Sequence, residues 1–443
     1  MANTPNKVQQ NQELPETTQS KALLERARKR MPSVTQTLAK GPTQYVEGVA
    51  PAFLAKGEGA RVWDVDGNEY IDFNMGIGPI ILGYQYPKVD EAIQAQLKSG
   101  ITFSLIHPLE VEVAELVNEV IPNAEMVRFS KTGADVTSAA IRAARAFTKR
   151  DKVLCCGYHG WHDWYIGTTP RNHGVPSAVS NLIQSFNYND IESLEKKINN
   201  ETACVIMEPM LFEQPSNEFL FQVKSLCEKH GALLIFDEMW TGFRLGLGGA
   251  QQVFDVKADL ATFSKALANG MPLSMITGRA DVMKVFDEEV FFYTTFGGEA
   301  LSLAAAKATI EEIRDKNVCQ VIENRGRRLR DGINTLAEKY EIDFLKCMGF
   351  GCRSMSAFAS STENPLTLKS YFQQELIRWG ILWSGSQVIS FSHTDADIEH
   401  FLSAADAILP EMKERVEQGK LAEAIRGKLI QPVFRTTTGK DSK

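Results

Sequence analysis

The sequence predicts an α/β protein, with a mostly parallel central sheet in a large domain and a smaller α+β domain after it. Three observations lead there. Between about Val89 and Ala280, helical patterns alternate with short apolar runs: Met126–Ser130, Lys152–Cys156, Ala203–Glu208, Ala232–Glu238, Leu260–Lys265 and Leu273–Thr277. Apolar runs separated by long crossovers read as parallel strands covered by helices on both faces. From about Ile310 the pattern changes to charged helices (NRGRRLRDGINTLAEKY), one or two short strands and a final helix, Asp395–Gln418. A chain of 443 residues, 44% hydrophobic, is also long enough for two cores.

Taken in order, residues 1–20 are rich in Gln, Asn, Pro and Thr and are expected to be a disordered lead-in. Residues 21–75 are expected to join the small domain, 76–309 to form the large one, 310–427 the C-terminal small domain and 428–443 a frayed tail. The text GEGARVWDVDGNEYIDF alternates apolar and polar residues around Asp66-Gly67, which predicts a hairpin. Asp64, Asp66 and Asn68 have the spacing of a calcium loop, but Glu69 and Met75 stand where that loop needs Gly and Glu.

Composition excludes several function classes. The net charge is −7 and no segment carries the basic surplus that phosphate-backbone binding needs, so neither nucleic acid nor an anionic membrane is an expected partner. The apolar runs stop far short of the ~20 residues that span a bilayer, and Met1–Ser20 has no signal-peptide core, so a soluble, cytoplasmic protein is expected. Seven cysteines without a CxxC pair point away from disulfides and structural zinc. His159-Gly-Trp-His162 has no third ligand nearby, and no metal is expected.

Three strand ends carry polar groups that packing does not explain. The run Ala232–Phe236 ends in Asp237-Glu238, and Ala261-Thr-Phe-Ser ends in Lys265. In a doubly wound sheet, ligands gather at the carboxyl edge of the strands, where such a carboxylate and amine can share one ligand. The third end is Ser130-Lys131-Thr132-Gly133-Ala134-Asp135, a small-residue turn leading into a helix. Its exposed N–H groups at the positive helix end suit a phosphate. Lysine, carboxylate and phosphate cradle together fit pyridoxal phosphate.

The stretches WDVDGNEYIDF, AIRAARAFTKRDKV, YHGWHD, MEP, GALLIFDEMWTGFR, DLATFSKALANGMPLS and TTFGGEALSLAAA, in this order over roughly residues 25–410, resemble the class III pyridoxal-phosphate aminotransferases, and within them the glutamate-1-semialdehyde aminomutase branch. That resemblance implies a fold-type I homodimer with sites at the subunit interface. By motif it makes Lys265 the Schiff-base lysine and Asp237 the partner of the pyridinium nitrogen, with Tyr158 stacking on one ring face and Met239 packing on the other. Thr132, Gly133 and Ala134 match the phosphate turn, although relatives usually carry a hydroxyl where Ala134 stands. Thr295 matches the threonine that reaches the phosphate from the other subunit. Glu208 either caps the turn after MEP or joins the cofactor site, Arg244 either fixes its loop or meets substrate, and Glu299 replaces the Asn of many relatives.

The substrate side departs from the aminomutase pattern. Ala39 stands where an Arg is expected to clamp a carboxylate. The loop after YHGWHD is short, Tyr165–Pro176, and the segment from Trp383 to Ser390 lacks the expected glutamate. These departures imply an aminotransferase, with L-glutamate and 2-oxoglutarate as the donor pair and an aldehyde or keto acceptor. TTFGGEALSLAAA and the tail PVFR resemble transaminases of surface-polysaccharide pathways, so a sugar or sugar acid such as an 8-oxo octulosonate is the expected acceptor, with Gln36, Ser384, Ser386 and Gln387 as candidate contacts. The alternative is an intramolecular aminomutase.

Overall fold

The computed structural model describes residues 13–216 and 218–431. Two compact units divide the chain: one draws on residues through Ile77, on Gly83–Gln85 and on residues from Val321 onward, the other on Gly78–Leu82 and Tyr86–Gln320.

In the first unit a helix spans Thr18–Arg28, so the stretch expected as an unstructured lead-in gains order at its end. The backbone N–H groups of Gln19 and Ser20 donate to the Asp66 carboxylate at 2.6 and 2.9 Å, which ties the helix start down. Residues 1–12 of that lead-in lie outside the described residues. Strands β1 (Leu54–Glu58), β2 (Arg61–Asp64) and β3 (Glu69–Asp72) follow. β2 and β3 pair antiparallel, Arg61 opposite Ile71, and Gly67 in the turn has φ +91°, where only glycine sits without strain. The Asp64 carboxylate accepts from the N–H groups of Asp66 and Asn68 at 3.0 and 2.8 Å, so the aspartate pattern serves the hairpin turn.

The second unit holds β4 (Met126–Ser130), β5 (Lys152–Cys156), β6 (Ile183–Ser185), β7 (Thr202–Met207), β8 (Leu233–Asp237), β9 (Leu260–Phe263) and β10 (Ser274–Gly278) in one seven-stranded sheet ordered β4-β10-β9-β8-β7-β5-β6. Only β10 runs against its neighbours. Because it is antiparallel to both β4 and β9, those two point the same way, and the carboxyl ends of β4, β5, β7, β8 and β9 share one edge. Every residue of β7, β8 and β9 is buried, as strands covered on both faces require. Helix Gly133–Thr148 presents Val136, Ala139, Ala140, Ala143 and Ala144 to the core, and these small side chains let it lie close on the sheet. Helix Ala300–Asp315 packs on Pro87–Leu97 and Pro108–Val120, which carries the second unit past the expected boundary at residue 309. Val153, Cys155 and Cys204 belong to the same core, and burial pushes the Cys155 and Cys204 thiols up to about 12.

Back in the first unit come β11 (Leu345–Phe350), β12 (Arg353–Phe358), β13 (Ile381–Leu382) and β14 (Ser386–Val388). They complete two sheets, β1-β2-β3-β13 and β11-β12-β14, the first with β13 parallel to β3. The closing helix, Asp395–Glu417, starts with a capping box in which Thr394 and Asp397 satisfy each other's backbone N–H. Of the expected tail, Lys428 is paired with Glu47 through its backbone at 3.0 Å, and residues 432–443 lie outside the described residues. No helix among the described residues is long and apolar enough to cross a membrane.

Phe263 closes β9 two residues before Lys265, is fully buried and meets Phe243 in a tilted ring contact at 5.9 Å. Phe263→Ala is expected to destabilise the protein by about 3–5 kcal/mol through the cavity it leaves. A thermal unfolding midpoint equal to that of the wild type would contradict this packing account.

Candidate active site

The shared carboxyl edge gathers most of the predicted residues. Asp237 is the last residue of β8 and lies opposite Thr262 of the neighbouring parallel strand β9, three residues before Lys265. Met207 pairs with Phe236 on one side and with Cys156 on the other, so Glu208 and the segment Gly157–Gly160 emerge beside Asp237.

Asp237 is 1% exposed. A carboxylate buried so deeply must be hydrogen-bonded. Its Oδ1 accepts from the Met239 N–H at 3.1 Å and its Oδ2 lies 2.7 Å from His159 Nδ1. A carboxylate accepts through both oxygens, and the bond to Oδ2 is made when the imidazole carries its proton on Nδ1. His159 is likewise 1% exposed, flanked by Trp164 and Tyr165, and its Nε2 finds no hydrogen-bond partner among the described residues. The sequence reading weighed His159 only as a metal ligand with His162. The structure instead splits the two, His162 Nδ1 lying 2.6 Å from Ser138 Oγ.

Lys265 leaves β9 with φ +46°, a left-handed conformation that costs a non-glycine residue of order 1 kcal/mol. Its Nζ lies 4.1 Å from the centroid of the Trp240 ring, an aromatic neighbour that Met239-Trp240 could have suggested from its place just after the strand. Met239 itself approaches the phosphate turn: a Cβ built on Gly133 would come 2.9 Å from its Sδ.

The turn is held by its own capping box. Thr132 Oγ1 accepts from the Asp135 N–H at 3.3 Å, while the Asp135 carboxylate accepts from the Thr132 N–H at 2.9 Å and from Ser130 Oγ at 3.0 Å. The first-turn N–H groups of Gly133 and Ala134 are left at the helix end, where no intrahelical acceptor can reach them. Ala134 is pressed against Gly160, whose φ of +107° and 2.8 Å spacing to the Ala134 Cβ exclude any side chain there.

Glu208 accepts from the Tyr158 N–H at 2.8 Å, so it holds the backbone of the predicted stacking residue, whose ring is half-exposed and lies edge-on to Tyr165 at 5.5 Å. Burial, and then the nearby Asp237, push the Tyr158 phenol up. Arg244 is buried and donates to the Gly78 carbonyl at 2.8 Å, an anchor for its loop. Glu238 is fully buried, accepts from the Ala250 and Gln251 N–H groups at 2.9 and 3.1 Å, and is pushed up to about 7 by burial. Thr295 stands apart, exposed in the segment 291–299, which borders a groove of about 1290 Å³ with Leu105 and Ile106. Gln387, offered as an acceptor contact, is wholly buried in the other unit, its amide bonded to Ser354 and Ser356 at 3.2 and 2.6 Å. It is spent on packing β14 against β12.

An amine, a buried carboxylate fixed by a histidine, a half-exposed aromatic ring and a helix end with unused N–H donors, all on one sheet edge, define an enzyme built around a phosphorylated pyridine aldehyde. Residues 44–395 match the family model described as aminotransferase class-III, and the chain belongs to that family. It is 33% identical over 408 residues to the 3-aminobutyryl-CoA aminotransferase of Cloacimonas acidaminovorans, covering 89% of this chain and 97% of that protein. It is 34% identical over 415 residues to the glutamate-1-semialdehyde 2,1-aminomutase of Acetivibrio thermocellus, covering 86% and 96%. Among solved structures it resembles a transaminase with PLP bound (TM-score 0.84, 27% identity, 91% of this chain and 100% of that chain) and an omega-transaminase from Sphaerobacter thermophilus (TM-score 0.81, 25% identity, 89% and 98%). The fold is that of the PLP-dependent transaminases, the chain is a PLP-dependent transaminase, and its cofactor is pyridoxal 5′-phosphate.

Glu238 gives the unit a pH signature. Its folded pKa lies above the usual carboxyl value, so between about pH 4.5 and 7 the folded state binds more protons than the unfolded state, and stability falls as pH rises through that window. Glu238→Gln should remove this slope, so that the melting-temperature difference between variant and wild type shifts toward the variant from pH 5 to pH 8. A difference that stays constant with pH would mean that Glu238 ionises normally.

Proposed function

We propose that this enzyme transfers an amino group from L-glutamate to an aldehyde or keto sugar acid, such as an 8-oxo octulosonate, and that it works as a homodimer. The observation that carries the reading is asymmetric: the strand-edge residues Asp237, Lys265 and Tyr158 and the Thr132–Ala134 turn are all in place, whereas the carboxylate-clamping Arg is replaced by Ala39, the loop Tyr165–Pro176 is short and the glutamate before Ser390 is missing. An intermolecular reaction on a changed substrate is what such a pattern favours. The similarity to a protein named 3-aminobutyryl-CoA aminotransferase supports transfer between molecules. The equal similarity to proteins named glutamate-1-semialdehyde 2,1-aminomutase keeps intramolecular exchange as the second reading.

The residues fit the cofactor: the nearly fully buried Asp237 carboxylate ends β8 beside the strand that leads to Lys265, and the half-exposed Tyr158 ring stands at the same edge. Pyridoxal phosphate, when bound, supplies the electron sink for breaking the Cα–H bond of the donor. Lys265 is the residue that attaches it. The Lys265 Nζ would take the proton from the donor Cα in the first half-reaction and deliver one to the acceptor carbon in the second. Asp237 holds the proton on the pyridine nitrogen, and the His159 hydrogen bond fixes the carboxylate for that task. Tyr158, held by Glu208, covers one ring face and Met239 the other. The N–H groups of Gly133 and Ala134 bind the phosphate, and Thr295 serves the phosphate of the partner subunit's site. Exposed Leu105, Ile106 and Tyr293 around the groove, 85%, 78% and 58% accessible, supply the apolar surface that a second copy would cover.

Borohydride reduction of the holoenzyme should fix the cofactor to a single peptide containing Lys265, and Lys265→Ala should lose turnover; label on any other lysine would refute the assignment. Asp237→Asn should lower turnover by an electrostatic loss of about 3–4 kcal/mol. Near-normal turnover in that variant would show that another acid serves the ring nitrogen.

L-Glutamate alone should convert the bound cofactor to its amino form with release of 2-oxoglutarate, and the amino form should then react with keto-sugar acids. Supplied with glutamate-1-semialdehyde alone, the enzyme should form little 5-aminolevulinate. Rapid formation without an added donor would establish the aminomutase instead.

A further inference from the structure

Lys131 immediately precedes the Thr132–Ala134 turn, and its Nζ lies 2.7 Å from Glu299 Oε1, with only 18% and 10% of the two side chains exposed. Glu299 is not a free partner. It caps helix Ala300–Asp315 by accepting from the Leu301 and Ser302 N–H groups at 2.8 and 3.1 Å, so its carboxylate is fixed by the backbone of another element. The stretch between them rests on the same strand: Arg128 donates to the Phe292 carbonyl at 2.6 Å, and a Cβ on Gly297 would come 2.8 Å from the Phe129 carbonyl. Burial lowers the proton affinity of the Lys131 amine, which Glu299 opposes. Burial also works against ionisation of Glu299, yet Lys131 and Ser302 hold its carboxyl below the ordinary value.

An ammonium on the residue that leads into a phosphate turn and the carboxylate that holds it have opposite effects on an incoming dianion. A motif reading placed only Thr132, Gly133 and Ala134 at the phosphate and left Lys131 and Glu299 without a role. We propose that Lys131 and Glu299 are a positioning pair for the phosphate monoester of the cofactor: Lys131 supplies the positive charge that Ala134, lacking a hydroxyl, does not offset by hydrogen bonding, and Glu299 fixes where that charge stands. The proposal rests on the reading of Thr132–Ala134 as the phosphate turn. It assigns unequal effects to the two partners. Removing Lys131 leaves the anchored Glu299 carboxylate uncompensated, while removing the Glu299 charge leaves the cation in place but less well aimed.

Equilibrium titration of the cofactor-free protein with pyridoxal phosphate and, separately, with pyridoxal tests it. Lys131→Met should weaken pyridoxal phosphate binding about tenfold or more, Glu299→Gln by at most about threefold, and the double variant should bind more tightly than Lys131→Met because the orphaned carboxylate is gone. Pyridoxal, which lacks the phosphate, should bind all four proteins alike. Circular dichroism and thermal unfolding of the cofactor-free variants, with Lys131→Gln as a second replacement, guard against a folding defect. Equal loss for both ligands, a Lys131→Met affinity matching the wild type, or a double variant no better than Lys131→Met would each overturn the pair. A wild type that prefers pyridoxal phosphate no more than pyridoxal would overturn the phosphate-turn reading itself.

Discussion

The hydrogen bond between His159 and Asp237 is the interaction on which the site depends. A strand tip buried to 1% cannot keep a bare carboxylate, because desolvation would either protonate it or expel it. The imidazole resolves this with a ring nitrogen 2.7 Å away, within hydrogen-bond reach of the carboxylate. The ring in turn is wedged by Trp164 and Tyr165, so carboxylate, histidine and aromatic core form one assembly. The chain achieves it across three adjacent strands, since β5, β7 and β8 deliver His159, Glu208 and Asp237 to one edge in register.

The same edge explains why the reacting groups come from segments far apart in sequence. Each parallel strand is followed by a crossover, so its carboxyl end is a natural exit for a loop. A sheet of such strands places several exits side by side. The antiparallel β10 extends this economy: by reversing twice, it brings the end of β4, and with it the Thr132–Ala134 turn, to the edge where Lys265 and Asp237 stand. The helix that follows the turn is lined with alanines toward the sheet, which holds its N-terminal N–H groups close to the strand ends.

Much of this was legible in the sequence, and the reasons are physical. Short apolar runs mark sheet strands, so Met126–Ser130 and Lys152–Cys156 coincide with the partly buried edge strand β4 and the buried strand β5. The six-residue β7 and the carboxylate ending β8 were equally visible, because a polar residue ending an apolar run has no packing explanation. The short edge strand β6 was missed, since three residues, two of them exposed, carry no periodicity. His159 was missed in its real role because its partner is 78 residues away, and only the pairing of β5 with β7 and of β7 with β8 brings the two together. Glu208 had two open readings until its 2.8 Å contact with the Tyr158 N–H gave it a third. The polar side chain of Gln387 suggested solvent, whereas two serines across the strand absorb its hydrogen-bonding capacity.

The left-handed backbone at Lys265 sets stability against use at a single codon. Glycine would occupy that conformation without penalty, and asparagine tolerates it far better than lysine does. A laboratory selection that rewarded heat resistance alone would therefore drift toward Gly or Asn at this position and discard the amine. At this position the backbone conformation favours one residue type and the amine another.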